Sequence, residues 1–243
     1  TLEIEMIEMP KIEVEKFLDN NDKFLIIDGM AGTGKTETIN EIVSSKSGWV
    51  EVSNCPICSD QHYEDWMKKN ENKIKSLRGD AKKAGKILGV NEIEFMDFPD
   101  NEMDTVSTLM VTKSIENSIK DFNPKIVYTT PQNDVNVDHQ KVYASTLVAT
   151  RPHKNSNVQE VLSYEIPSST EWFFSSQFSP NVFVDISKEF ASKIKAIKAY
   201  KNEIREFPHP RSIEALEVIT KRWGSVAGFN YAEAFKLVRM LIK

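Results

Sequence analysis

The sequence predicts an α/β protein with a Rossmann-like, mostly parallel sheet that is flanked by helices in a single domain. Along the first half of the chain, apolar runs of strand length alternate with longer segments of helical period. Such alternation favours parallel strands joined by helices. The 243 residues are 40% hydrophobic and include 13 Phe and 4 Trp, which is enough for one sizeable core.

Charge and composition narrow the classes of partner. The net charge of −5 argues against an electrostatic nucleic-acid surface. No apolar run approaches the roughly 20 residues that span a bilayer, and no basic-then-apolar segment opens the chain. The two cysteines, Cys55 and Cys58, do not form a disulfide framework. We therefore expect a cytoplasmic protein with a small-molecule partner and no nucleic-acid or membrane partner.

The first half of the chain is interpreted as an arm followed by strand–helix units. Residues 1–22 form the predicted N-terminal arm, and residues 23–243 form the α/β domain, which opens with a strand–loop–helix unit at 23–45. Strands are predicted at 24–27, 48–54, 93–100 and 124–131, and helices at 36–43, 64–88, 106–122 and 141–150. Gly89 is the expected C-cap of the longest helix.

The second half is less regular. Strands are predicted at 161–170 and 181–187, a helix at 186–207 and a terminal helix at 230–243. In a parallel sheet the carboxyl ends of the strands line the ligand crevice. The loops 28–35, 97–104 and 130–140 are therefore expected to meet there.

A glycine-rich loop follows the first strand. Gly29, Gly34, Lys35 and Thr36 satisfy G-x-x-x-x-G-K-[ST], and Gly32 lies within the same loop. The loop amides would bind phosphate, the lysine would meet the β- and γ-phosphates, and the threonine hydroxyl would hold Mg²⁺. This pattern predicts Mg-ATP binding. The alternative is a glycine turn between strand and helix that binds nothing.

A second polar motif, TTPQNDVNVDHQ, follows the fourth predicted strand. It places Asp134, Asp138 and His139 in one loop. Imidazole is a good zinc ligand, and a neighbouring carboxylate can orient the ring or act as a base. The alternative is a surface Asp-His pair that caps the next helix.

Residues 77–239 resemble the PIG-L/LmbE family of zinc-dependent N-deacetylases, which act on sugars of the N-acetylglucosamine type. The motifs that carry the resemblance occur in the order of the family and cover about two-thirds of the chain: LRGDAKKAGKILGV, FMDFPDNEM, PKIVYTTPQNDVNVDHQ, ATRP, VLSYEIPSSTEW, SPNVFVDIS, KIKAIKAYKNE, HPRS and YAEAF. The resemblance implies a Rossmann-like fold with its metal site at the carboxyl ends of the strands.

The resemblance also implies roles for individual residues. His139 matches a zinc ligand of the family, Asp138 the aspartate before it, and Arg78 the arginine of a helix motif; the last two are the implied catalytic residues. Three further residues are implied in the substrate pocket: Asp134, Asn136 and Arg151.

The family's His-Pro-Asp-Asp motif is absent, and GMAGTGKTE stands in its place. That motif supplies two zinc ligands and the catalytic base, and only Asp28 is placed to provide one carboxylate ligand. Asn136 stands where many members carry a histidine. The segment CPICSDQHY is an alternative zinc half-site, although a reduced surface turn with nothing bound fits it better.

Three hypotheses follow. The first is an N-deacetylase of an N-acetylglucosamine-type sugar, impaired because two zinc ligands and the base are missing. The second is a P-loop nucleotide-binding protein or phosphotransferase that uses Mg-ATP in the same crevice. The third is an inactive protein that binds a sugar, nucleotide or nucleotide-sugar. Family members are often oligomeric, so a homo-oligomer is compatible with the resemblance.

Overall fold

The computed structural model describes residues 24–29, 48–52, 61–154 and 156–242, with side chains from residue 71 onward. The predicted arm and the predicted helix at 36–43 lie outside the described residues. Among the described residues, no helix has both the length and the apolar character to cross a bilayer.

One seven-stranded sheet organises the described residues, in the spatial order β3-β2-β1-β4-β5-β7-β6. The strands are β1 Phe24–Gly29, β2 Gly48–Val52, β3 Glu92–Phe95, β4 Ile126–Thr129, β5 Glu160–Tyr164, β6 Val182–Asp185 and β7 Ala232–Met240. β1 to β5 pair in parallel, whereas β7 is antiparallel to both β5 and β6. The sheet is therefore mixed, with four parallel and two antiparallel pairings, and the single α/β domain is confirmed.

The order of the strands in the sheet shows where a ligand crevice is expected. From β1 the chain first builds outward to β2 and β3, and it then returns to add β4 on the other side of β1. In such sheets ligands bind outside the carboxyl ends of the strands at this switch point. The carboxyl ends of β1 and β4 therefore lie side by side at this switch point.

Five helices of the described residues cover the sheet: α1 Gln61–Leu88, α2 Thr108–Phe122, α3 Val137–Ala149, α4 Phe190–Ile197 and α5 Ile213–Ala227. Gly89 ends α1 with a φ of 75°, as its prediction as a C-cap requires. The helix predicted at 186–207 is shorter than expected. Asp185 accepts hydrogen bonds from Ser187, which forms a turn before α4, and the Glu203–Arg211 ion pair holds the following segment in a loop.

The predicted terminal helix is wrong, because residues 232–240 form β7. Alanine and glutamate in YAEAF are good helix formers, but tertiary context readily overrides such propensities. Pairing with strands on both sides satisfies the backbone of β7. Phe235 is fully buried and meets the ring of Tyr128 edge-on at 5.3 Å between centroids. Only the first four residues of this inner strand are fully buried.

The core lies on both faces of the sheet. One face packs under α2 and α3, and its members include Met103, Val111, Ile115, Val127, Val142 and Val161. The other face contains Ile126, Tyr128, Leu162, Tyr164, Ile166 and Phe235. Ala81, Ala84 and Leu88 of α1 pack against Ala196 and Tyr200 at α4. The sheet is thereby held rigid around the crevice.

Gly224 of α5 allows close contact between the helix and the turn that enters β7. A Cβ atom there would lie 2.7 Å from the Phe229 carbonyl oxygen and 3.0 Å from the Asn230 carbonyl carbon. We expect Gly224→Ala to lower the free energy of unfolding by about 1–3 kcal/mol, because the backbone must shift. Gly79→Ala in α1 is the control, since nothing lies within 4 Å of its Cβ position. It should stabilise by about 0.5–1 kcal/mol. Urea unfolding measures both, and equal effects would contradict this explanation.

Candidate active site

The turn between β4 and α3 builds the centre of the site. Asn136 is the N-cap of α3, and its side chain accepts a hydrogen bond of 2.8 Å from the Asp138 amide. Asp134 Oδ1 accepts one of the same length from the Asn136 amide. Two short polar side chains thus replace the hydrogen bonds that the backbone lacks before a helix. His139 is thereby held in the first turn of α3.

His139 and Asp134 form a buried pair. Nδ1 of His139 lies 2.8 Å from Asp134 Oδ1, and both side chains have no exposed surface. Thr170 donates to Asp134 Oδ2 at 3.0 Å, and Ser169 donates to Oδ1. Because Asp134 accepts the proton on Nδ1, we assign the lone pair of neutral His139 to Nε2. Nε2 then carries the lone pair that can bind a metal or take a proton.

The charge of Asp134 is stabilised despite its burial. Burial by itself raises the pKa of this carboxyl group. The hydrogen bond and positive charge of His139, together with hydrogen bonds from Ser169 and the Asn136 amide, outweigh burial and lower the pKa below its ordinary value of 3.8. Asp134 is therefore anionic at neutral pH and stabilises a protonated imidazole.

Asp138 binds backbone amides, whereas Asp134 contacts the imidazole of His139. Its Oδ2 accepts from the Asn101 amide at 2.7 Å, and its Oδ1 accepts from the Met103 amide at 3.0 Å. Asn136 Nδ2 adds a hydrogen bond of 3.0 Å to Asn101 Oδ1. Asp138 therefore holds the loop that follows β3, and the aspartate that contacts His139 Nδ1 is Asp134.

Asp138→Asn should weaken this loop. An asparagine can accept only one of the two amide hydrogen bonds, and its NH₂ group faces the other amide. We expect the free energy of unfolding to fall by about 1–3 kcal/mol, the usual cost of a buried hydrogen-bonding group left unmatched. The control is Asp104→Asn, an exposed residue of the adjacent turn. Urea unfolding compares the two variants, and an equal loss in both would refute the role assigned to Asp138.

Arg78 lies farther along the same sheet edge. Its Nη2 is 2.5 Å from Asp97 Oδ1, and its guanidinium carbon lies 5.2 Å from the centre of the Phe95 ring. Asp97 follows β3, which is separated from β4 by three strand spacings, about 14 Å. These contacts place Arg78 at the carboxyl end of β3.

The carboxyl end of β1 lies next to the His139 turn. Ile27 is in register with Thr129, so the backbone of Asp28 reaches the level of Thr130. The Thr130 hydroxyl donates to the His139 carbonyl oxygen at 2.8 Å. Asp28 and Gly29 therefore end at the site, as expected. The other predicted phosphate-binding residues lie outside the described residues: Gly32, Gly34, Lys35 and Thr36.

Arg151 does not join this site. It follows α3, whose 13 residues extend about 20 Å, so the helix carries it from the His139 end to the opposite edge of the sheet. There its Nε donates to the Val148 carbonyl oxygen at 2.9 Å. Arg151 was expected to line the substrate pocket, but the direction of α3 places it at the other edge of the sheet.

A match to a protein-family model shows the family to which the chain belongs. Residues 28–150 match the model for PIG-L, described as GlcNAc-PI de-N-acetylase. The chain belongs to the PIG-L family. The matched range begins at Asp28, at the end of β1, and closes at the end of α3. It includes both members of the buried Asp134–His139 pair.

Relatives and solved structures agree with the PIG-L assignment. The chain is 26% identical over 165 residues to a diacetylchitobiose deacetylase of Thermococcus kodakarensis, a match over 65% of this chain and 61% of that relative. The structure resembles an N,N′-diacetylchitobiose deacetylase of Pyrococcus horikoshii at a TM-score of 0.63 and 16% identity, over 93% of this chain and 89% of that one.

The same fold also occurs with another activity. The structure of GalB, a 4-carboxy-2-hydroxymuconate hydratase of Pseudomonas putida, matches with a TM-score of 0.65 and 15% identity, over 91% of this chain and 98% of that one. Likeness at this level of identity shows the fold, and the reaction has to be argued from the site.

Two residues of this PIG-L site were missed in the sequence. Ser169 and Thr170 were placed within a predicted strand, whereas β5 ends at Tyr164 and Thr170 opens a single turn of 3-10 helix. Their position in the sequence, directly after a strand, could have identified them. A polar SST segment after a strand paired with β4 must reach the same sheet edge as His139.

Proposed function

We propose that this PIG-L protein is an N-deacetylase that hydrolyses the amide bond of an N-acetylglucosamine-type sugar. The observation that carries the proposal is the buried Asp134–His139 pair at the switch point of the sheet, inside the range that matches the family. The names of the Thermococcus and Pyrococcus relatives support the same chemistry, with diacetylchitobiose as their substrate.

The pair suits proton transfer during amide hydrolysis. A water that attacks the acetamide carbonyl must lose a proton, and the departing amine must gain one. His139 can take the first proton at Nε2, because anionic Asp134 stabilises the resulting imidazolium through Nδ1. The same proton can then pass to the amine nitrogen. Ser169 and Thr170 hold Asp134 in place for both steps.

Zinc is the cofactor that the family resemblance implies. A hydrolytic zinc site takes about three protein ligands and an open position for water. His139 offers one nitrogen and Asp28 ends on the neighbouring strand, but the described residues contain no group of three or more His, Cys, Asp or Glu placed to hold a metal ion. They therefore do not complete the site, and no step above depends on zinc.

Nucleotide binding is the less favoured candidate. The glycine-rich loop at 29–36 lies within the range that matches the PIG-L model, so the family match includes it. Mg-ATP binding by Lys35 and Thr36 remains a prediction from sequence. So do the cytoplasmic location, a nucleotide-sugar ligand and a homo-oligomer.

The deciding experiment measures hydrolysis and cofactors on one sample. Purified protein is incubated with diacetylchitobiose, and acetate and free amine are quantified with and without added zinc. Metal content and Mg-ATP binding are measured in parallel. We expect acetate and amine in equal amounts. Absence of hydrolysis under all metal conditions, together with tight Mg-ATP binding, would reject the deacetylase in favour of the nucleotide-binding candidate.

A further inference from the structure

The turn that follows β5 has a backbone conformation that is unusual for its residues. The Ser169 amide donates to the Ile166 carbonyl oxygen at 3.1 Å, which closes a β-turn around Pro167 and Ser168. Ser168 has a φ of 69°. Proline at the second position and a positive φ at the third are features of a type II turn, whose third residue is ordinarily glycine. Ser168 therefore holds a left-handed conformation that is unfavourable for a residue with a side chain.

Glu171 holds this turn in place. Its Oε1 accepts a hydrogen bond of 2.7 Å from the Ser168 amide, and its Oε2 accepts one of 2.9 Å from the Ser169 amide. One carboxylate thus binds the amides on both sides of the left-handed residue. Hydrogen bonds to a carboxylate are stronger than those between neutral groups. Strained conformations persist where their surroundings fix them, and Glu171 supplies that support.

The turn directs two hydroxyl groups at the Asp134–His139 pair. Ser169 donates to Asp134 Oδ1, and its Oγ lies 3.3 Å from His139 Nδ1. Thr170 Oγ1 accepts from the Ile166 amide at 2.7 Å and donates to Asp134 Oδ2 at 3.0 Å. Both donors belong to residues that directly follow Ser168. The backbone conformation of the turn therefore sets the direction of both hydroxyl groups.

We propose that Glu171 is a positioning residue of the Asp134–His139 pair. It keeps Ser168 left-handed, and the turn then holds the hydroxyl groups of Ser169 and Thr170 against Asp134. Glu171 itself is exposed, and it acts on the buried pair through two backbone amides. The inference rests on the proposed deacetylase function for the reaction that is served, and it adds the residue that fixes the geometry of the site.

The first test separates turnover from substrate binding. Glu171→Ala should lower kcat for release of acetate from diacetylchitobiose by about 10- to 10²-fold, because a misplacement of about 1 Å has effects of this size. KM should stay within about twofold of the wild-type value, since the contacts that are lost go to backbone amides of the turn. Full kcat in folded Glu171→Ala protein would overturn the proposal.

The matched control is Glu92→Ala. Glu92 is exposed and opens β3, so it lies at the amino end of a strand, at the sheet edge opposite the site. Its removal should leave both kcat and KM at the wild-type values. A fall in kcat equal to that of Glu171→Ala would contradict a specific role for Glu171.

A second substitution tests the link through Ser168. Glycine adopts a positive φ without the penalty of a side chain, so a turn with glycine at 168 no longer needs the carboxylate. The double variant Ser168→Gly/Glu171→Ala should recover kcat to within about threefold of wild type. Ser168→Ala/Glu171→Ala is the control, because alanine keeps the Cβ atom and should give no recovery. Failure of glycine to rescue, or equal rescue by alanine, would overturn the proposal.

A spectroscopic measurement tests the same geometry without turnover. The ¹⁵N shifts of the His139 ring are recorded in the full chain at a pH where the imidazole is neutral, and His139→Ala identifies them among the four histidines. Wild type should show one tautomer, with the proton on Nδ1. In Glu171→Ala the two shifts should move towards each other, and Ser168→Gly/Glu171→Ala should restore them. Unchanged shifts in Glu171→Ala would overturn the proposal.

The outcomes separate this inference from the proposed function. If wild type releases no acetate, the deacetylase is contradicted, and the ring shifts of His139 alone decide whether Glu171 positions the pair. If Glu171→Ala fails to fold, Glu171→Gln replaces it. Glutamine keeps one acceptor for the two amides, so kcat and the shifts should change in the same direction by a smaller amount. No change in either would overturn the proposal.

Discussion

Replacing His139 by alanine should lower deacetylase kcat/KM by about 10³-fold, the middle of the range for loss of one acid–base group. The side chain is fully buried and Nδ1 is held by Asp134, so the proposed proton transfer uses Nε2. Release of acetate from diacetylchitobiose measures the effect.

The matched control for this variant is His153→Ala. His153 is exposed and lies in the segment after α3, at the opposite edge of the sheet. It should retain activity within a factor of two or so, because surface substitutions away from a site have small effects. Thermal unfolding of both variants separates loss of chemistry from loss of fold. Full activity in folded His139→Ala protein would eliminate the mechanism proposed here.

Asp134→Asn should lower kcat/KM by about 10²–10⁴-fold while preserving the size of the side chain. An amide that turns its NH₂ group toward Nδ1 reverses the tautomer of His139, and a neutral group cannot stabilise the imidazolium. The hydroxyl groups of Ser169 and Thr170 also lose a charged acceptor. Asp121→Asn, an exposed residue of α2, serves as the control.

The effect of Asp134→Asn on the free energy of unfolding should depend on pH. The pKa of Asp134 is lower in the folded protein than its ordinary value of 3.8, so its charge contributes stability above that value. The contribution is lost as the pH falls through the folded pKa. The difference in unfolding free energy between wild type and Asp134→Asn should therefore shrink below about pH 4. A difference that stays constant from neutral pH to acid would show that the charge of Asp134 does not contribute.

Much of the fold follows from local pattern. The apolar run at β1 and the strand–helix alternation that follows place β1 to β4, α1 and α2 close to their predicted positions. These elements are long or strongly periodic, so local preference and burial agree. The helix predicted for the terminal segment is wrong because β7 pairs with two strands distant in sequence, and this pairing overrides the helix propensity of its residues.

In the candidate site, too, one residue could be predicted from the sequence and its partner could not. His139 is recognisable as a candidate from its motif, a histidine beside an aspartate in a polar loop after a strand, and from the family resemblance of that motif. Its partner is not recognisable, since Asp134 and Asp138 both lie within reach along the chain. Only the N-cap geometry of Asn136 directs one carboxylate to His139 and the other to the amides of Asn101 and Met103.

By itself, the sequence determined the α/β class, the PIG-L resemblance and the edge of the sheet on which His139 lies. These depend on hydrophobic period and on motifs within one stretch of chain. The tertiary structure alone decided the antiparallel β7, the removal of Arg151 to the far edge, and the meeting of Asp134 with Ser169 and Thr170. Each of these depends on the direction in which an element runs once it is packed, and packing energy is shared among residues far apart in sequence.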